Sequence, residues 1–109
     1  RTRQYAAVLF LDLDHFKDIN DTQGHHVGDL VLKHFADILR DAVRAEDVVA
    51  RFGGDEFVIL VEDLGWQGGD ARTKVLSIAD KILDMGNNVD IVEAFVFMMT
   101  LCLLMRNTE

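Results

Sequence analysis

Four carboxylates in this 109-residue chain stand where they could do chemistry. Asp12 and Asp14 close the apolar run AAVLFL, and Asp55 and Glu56 sit in the stretch ARFGGDEFVIL. A bare turn needs only Gly-Gly or Asn-Gly, so adjacent acids at a turn ask for a further reason. If the first run is a strand that continues through Asp14, residues two apart project to the same side. If the later hairpin lies beside that strand, as sequential elements often do, the two acidic pairs converge. Converging carboxylates repel unless a cation sits between them. Hard oxygen ligands open to water suit Mg²⁺ or Mn²⁺, which leaves its remaining positions to water and substrate phosphates. Lys17, one short turn further on, is placed to meet a phosphate as a point charge. Gly53 and Gly54 would let the backbone pass close to a bulky ligand. The plain alternative stands beside this reading: acids after a strand and in a turn are commonly solvated caps and turn formers, and Lys17 is then a surface lysine.

The elements that would position these residues follow from periodicity. The continuous apolar run Ala6 to Leu11 reads as a strand buried on both faces. TQGHHVGD then reads as a Gly-rich loop. Val27, Val31, Phe35, Ile38, Leu39 and Ala42 fall at helical spacing. VVARF and FVILV read as strands flanking the Gly-Gly turn. LGWQGGD reads as a loop. Ala71, Val75, Ile78, Ala79 and Ile82 mark a second amphipathic helix closed by Gly86 to Asn88. The order is β-α-β-β-α, and VEAFVFMMTLCLLM adds a strand or strand pair belonging to the core.

Composition bounds the function. One domain is expected at this length, and 50% hydrophobic residues suit a globular chain. The formal charge of −8 gives no general attraction to nucleic acid or to an anionic membrane. A phosphate substrate would therefore need locally recruited cations. The single cysteine, Cys102, cannot pair internally, so a reducing compartment is expected. No signal peptide is read at the start, and the run Ala94 to Met105 is too short for a membrane span. His26, His34, Trp66 and Cys102 carry no assigned role.

FLDLDHFKDINDTQGHHVGD followed by RAEDVVARFGGDEFVIL closely resembles the GGDEF family of bacterial diguanylate cyclases. The resemblance runs from about Ala6 to about Leu83. It implies an α/β chain of the α+β sandwich kind: a nucleotidyl-cyclase-like palm fold with a central, mostly antiparallel sheet flanked by helices. Residues 1–109 would form one incomplete domain with an atypical tail, 85–109. The family joins two GTP molecules into cyclic di-GMP with release of pyrophosphate, using two facing domains.

Carried over residue by residue, the resemblance implies that Asp12 and Glu56 hold Mg²⁺ (or Mn²⁺) with help from the Leu13 carbonyl. Asp55 would help to activate the attacking 3′-hydroxyl, and Lys17 would contact phosphates. Asn20 and Asp29 would read the guanine edge, His25 would line the pocket, and Gly53 and Gly54 would adjoin the substrate. Arg44 and Asp47 match an Arg-x-x-Asp inhibitory site for cyclic di-GMP; the alternative is an exposed helix-end ion pair contributing about 0–1 kcal/mol. Implied partners are GTP, cyclic di-GMP, a second copy of the domain, and sensory or EAL phosphodiesterase domains in a cytoplasmic parent protein that is free to be membrane-anchored. Three functions compete: a cyclase, a sensor module that binds nucleotide without turnover, and a fragment without independent function.

Overall fold

The computed structural model describes residues 2–14, 16–87 and 96–108, and within them the side chains of residues 4–13 and 16–85. The elements run β1 (Thr2–Asp14), α1 (Phe16–Gln23), α2 (His25–Ala42), β2 (Val48–Arg51), β3 (Glu56–Val61), α3 (Gly68–Asn87) and β4 (Val96–Thr108). The four strands form one sheet in the order β2-β3-β1-β4. Every pairing in it is antiparallel. The expected α+β architecture is thus present.

Strand β1 alternates. Ala7, Leu9, Leu11 and Leu13 are buried, at 0–3% exposure, whereas Phe10 on the opposite face is 48% exposed. The expectation of burial on both faces is therefore corrected: the core forms on one face of the sheet. Phe57, Ile59 and Val61 of β3 join the same inward row. Against it lie Val31, Leu32, Phe35, Ile38, Leu39 and Ala42 of α2, and Ala71, Val75 and Ile82 of α3. These are the residues whose helical spacing marks an apolar stripe. Phe35 and Phe57 meet edge to face at the centre, with ring centroids 5.2 Å apart and planes at 78°. That geometry suits the ring quadrupoles.

The stretch Thr22 to Asp29, expected as a Gly-rich loop, is helical apart from Gly24: Thr22 and Gln23 end α1 and His25 to Asp29 begin α2, with Gly24 between them at φ 90°. Such a backbone favours glycine. The Gly24 amide donates to the Asn20 carbonyl (3.0 Å), and the Gly28 amide to the Gly24 carbonyl (3.2 Å), so the hydrogen-bond pattern nearly runs through the break. An eight-residue helix is marginal by itself. Here Ile19 is buried in the core, and Phe16 and Val27 pack against it. Similarly, α3 begins at Gly68, inside the expected loop, and runs past Gly86 to Asn87. Asn88 lies outside the described residues.

Among the described residues the expected C-terminal strand or strand pair is one strand, Val96–Thr108. It pairs with β1 from Thr2↔Thr108 to Asp14↔Val96, and it is the edge of the sheet as described. No described helix is long and apolar enough to cross a membrane.

Candidate functional site

The two acidic pairs meet through strand register. In the β1–β3 ladder Asp12 stands directly opposite Glu56. Directly opposed residues in such a ladder lie about 4.5–5.5 Å apart, and like charges there are destabilising. The Leu13 amide donates to the Asp55 carbonyl (3.1 Å), which ties the hairpin tip to the end of β1. Asp12, Leu13, Asp55 and Glu56 thus share one corner of the sheet. Asp12 Oδ1 is buried, while Glu56 is exposed. A cavity of about 180 Å³ opens beside them, lined by Phe10, Asp12, Phe52 and Glu56 among others. Among the described residues no group of three or more His, Cys, Asp or Glu side chains is placed to hold a metal. The donors this corner could offer a cation are two carboxylates, Asp12 and Glu56, with a backbone carbonyl. That is a poor zinc site. It fits Mg²⁺ or Mn²⁺, which binds through few protein carboxylates and takes water and phosphate oxygens for the rest. The Asp14 side chain lies outside the described residues.

The turn itself is held by a residue that sequence reasoning passed over. Arg51 donates from Nε to the Gly53 carbonyl (3.1 Å) and from Nη2 to the Gly54 carbonyl (2.8 Å). Neither Gly53 nor Gly54 has a positive φ, so turn chemistry does not explain them. A Cβ on Gly53 would stand 3.0 Å from Glu56 Oε1, so this glycine makes room for the carboxylate. A Cβ on Gly54 would meet nothing within 4 Å; the space there is open.

Helices α1 and α2 carry the next group. Lys17 is exposed in the first turn of α1, and Asn20 lies one turn on, partly buried. Asn20 packs against Gly28 of α2, the residue before Asp29. His25 and Asp29 are exposed and one turn apart, on the same side of α2. Asp29 also lines a groove of about 350 Å³ with Lys33, Arg51 and Phe57.

Arg44 and Asp47 form a third group, at the turn between α2 and β2. Asp47 Oδ2 accepts from the Arg44 amide (3.0 Å) and from Arg44 Nε (3.2 Å), and Oδ1 accepts from Nη2 (3.1 Å). Nη2 also donates to the Glu62 carbonyl (2.6 Å), and Glu46 lies 3.7 Å from Nη1. The hydrogen bond to Asp47 holds the Arg44 guanidinium pKa above its ordinary value. The ion pair weighed as the alternative is present, with the Asp47 side chain 2% exposed and that of Arg44 47%, so its carboxylate is buried while its guanidinium is half exposed. Arg40, which sequence reasoning did not single out, donates to the Arg44 carbonyl and to the Asp47 carbonyl (2.8 Å), stapling the turn. Beside it lies a cavity of about 610 Å³ whose wall includes Arg44, Thr73, Lys74, Ser77 and Lys81. Removing a buried carboxylate with three accepted bonds is expected to cost about 2–4 kcal/mol. Asp47→Ala should lower the melting temperature by roughly 10–20 °C, from the usual size scaling. A melt within about 2 °C of the native chain would reduce the clamp to a surface contact.

Residues 1–94 match the family model described as "Diguanylate cyclase, GGDEF domain". The chain belongs to the GGDEF family. Among GGDEF relatives, the bifunctional diguanylate cyclase/cyclic di-GMP phosphodiesterase MucR of Pseudomonas aeruginosa is 61% identical over 76 residues, 70% of this chain and 11% of the relative. Diguanylate cyclase TpbB of the same organism is 49% identical over 81 residues, 74% of this chain and 18% of the relative. The chain therefore spans under a fifth of either protein. Among solved structures, a sensory box/GGDEF family protein from Caulobacter crescentus superposes with a TM-score of 0.75 at 35% identity. That match covers 92% of this chain and 64% of the other. The GGDEF motif occupies Gly53 to Phe57, so the family signature coincides with the hairpin tip that faces Asp12.

Proposed function

We propose that this GGDEF segment acts within a diguanylate cyclase, condensing two GTP molecules into cyclic di-GMP with release of two pyrophosphates. The observation that carries the reading is the Asp12↔Glu56 register, with Asp55 tethered to Leu13 at the same corner. Asp12, Glu56 and the Leu13 carbonyl would hold Mg²⁺ or Mn²⁺, which when bound polarises phosphate oxygens and orients an in-line displacement. Lys17 meets the phosphates as a point charge. Asp55 accepts the proton of the attacking 3′-hydroxyl, whose oxygen bonds to the α-phosphorus of the facing GTP as pyrophosphate leaves. Gly54 leaves open space for that second nucleotide. Asn20 and Asp29 read the guanine edge and His25 lines the pocket. One segment holds one GTP, so turnover requires two copies face to face.

Arg44 is proposed to receive cyclic di-GMP and restrain synthesis. Its guanidinium is already oriented by Asp47 and half exposed, ready to present its remaining N–H groups to a phosphate or guanine edge. Asp47 has both oxygens engaged by Arg44, so its part is chiefly to aim the guanidinium. Inhibition from this separate location requires coupling between two sites.

A second reading is a module that binds GTP or cyclic di-GMP without turnover and regulates an adjacent phosphodiesterase domain. It is favoured by the similarity to MucR, whose name joins both activities in one protein. Incubating the purified chain with Mg²⁺ and GTP separates the two. Cyclic di-GMP in the products supports the cyclase, with accumulating product slowing native turnover and sparing Arg44→Ala. Binding without product supports the module. Neither binding nor product overturns both readings.

A further inference from the structure

Gly28 lies inside α2, where glycine is an unfavourable choice relative to alanine. Its φ is not positive, so no left-handed backbone calls for it. It is buried. What accounts for it is a contact with the neighbouring helix. A Cβ at this position would stand 1.8 Å from Asn20 Oδ1 and 2.8 Å from Asn20 Cγ, far inside van der Waals contact. Phe16 Cζ would lie 3.4 Å from the same Cβ. The Asn20 amide therefore lies in a recess that exists only because residue 28 has no side chain.

We infer that Gly28 is a positioning residue for nucleotide recognition: its missing Cβ sets the pose of the Asn20 amide beside Asp29. This rests on the reading that Asn20 meets guanine. A methyl group at position 28 would force the Asn20 side chain to another rotamer. That shift is cheap for folding, because the displaced atoms are the end of a short flexible side chain on a partly exposed residue. It is costly for recognition, because an amide reads a base edge only when its donor and acceptor are both in place. Alanine also favours the helix. Gly28→Ala should consequently keep or raise thermal stability while weakening guanine binding, whereas damage to packing alone would lower stability.

The test is a double-mutant cycle with Gly28→Ala and Asn20→Ala in the purified chain. GTP affinity is read by calorimetry with Mg²⁺ present, and stability by thermal melting. Gly28→Ala is expected to weaken GTP binding about tenfold or more, the size of one lost or misaligned hydrogen bond to a buried partner. In the Asn20→Ala background the same change should have no further effect, since residues acting through one another are non-additive. The Asn20 side-chain amide resonances should shift in Gly28→Ala, and the melting temperature should not fall. If Asn20→Ala weakens GTP binding and Gly28→Ala binds like the native chain, the inference fails alone. If Asn20→Ala binds GTP like the native chain, the guanine reading fails and takes the inference with it. If Gly28→Ala melts well below the native chain, the clash is being absorbed by the helix packing and not by the Asn20 side chain, which also overturns it.

Discussion

Glu56→Gln is expected to lower Mg²⁺-dependent turnover of GTP by about 10³-fold or more and to leave the fold intact. The substitution keeps the shape of the side chain and removes one negative charge from the pair facing across the β1–β3 ladder. The structural duties of Glu56 are carried by its backbone. Its carbonyl accepts from the Phe52 amide (2.8 Å) and the Gly53 amide (3.4 Å), and neither bond depends on the carboxylate. Because the side chain is exposed, stability should stay within about 0.5 kcal/mol of native. Relief of repulsion with Asp12 pushes that change towards stabilisation. Loss of turnover without loss of fold is the result expected if the Glu56 carboxylate serves the reaction and not the packing. Turnover measured at saturating GTP, alongside a thermal melt, reads both. A variant that turns GTP over at the native rate would remove the metal assignment at this corner.

The native chain is expected to prefer GTP to ATP by about 10²–10⁴-fold in affinity. Guanine presents an O6 acceptor, an N1–H and an amino group; adenine presents a donor where O6 would be and lacks the N1–H. An ionised Asp29 can accept from the N1–H and amino group, and the Asn20 amide offers a donor and an acceptor. A site that leaves such groups unpaired against the wrong base rejects it strongly. Asp29→Ala should erase most of the preference and leave metal binding at Asp12 and Glu56 unaltered. Equal affinities for GTP and ATP in a calorimetric titration would count decisively against Asn20 and Asp29 as readers of the guanine edge.

The amphipathic stripes of α2 and α3, the hairpin of β2 and β3, and a strand leading into Asp12 were all legible from apolar spacing. That spacing is a direct consequence of burying one face of each element. The helical nature of Phe16 to Gln23 was not legible. Its sequence is polar and short, with Asn, Asp and Thr that favour turns, and only the seating of Ile19 in the core makes a helix of it. The two-faced burial expected of β1 failed for a related reason. An apolar run shows that a strand is acceptable inside; it does not say how many layers will cover it, and Phe10 stands half exposed.

At the site the division is sharper. Residue types carried part of the chemistry: adjacent acids for a hard cation and a lysine for phosphate; the reading of a base edge by Asn20 and Asp29 came only from the resemblance to the GGDEF family. Their relation was decided in three dimensions. A one-residue slip of β3 against β1 would send every side chain of the strand to the opposite face, so the meeting of Asp12 with Glu56 depends on the packing that sets the register. The same holds for Asp47, which in sequence reads as half of an Arg-x-x-Asp site or of an exposed helix-end ion pair. It becomes a buried anchor only because Arg44 folds back onto it and Arg40 staples the turn. The roles of Arg51 and Gly28 likewise lie in contacts with a backbone carbonyl and with a side chain on another helix. Residue order specifies which groups are available and the rough spacing of the elements that bear them. Tertiary packing decided which of those groups touch, because hydrogen bonds and steric exclusion act over a few ångströms and those distances exist only once the chain has folded.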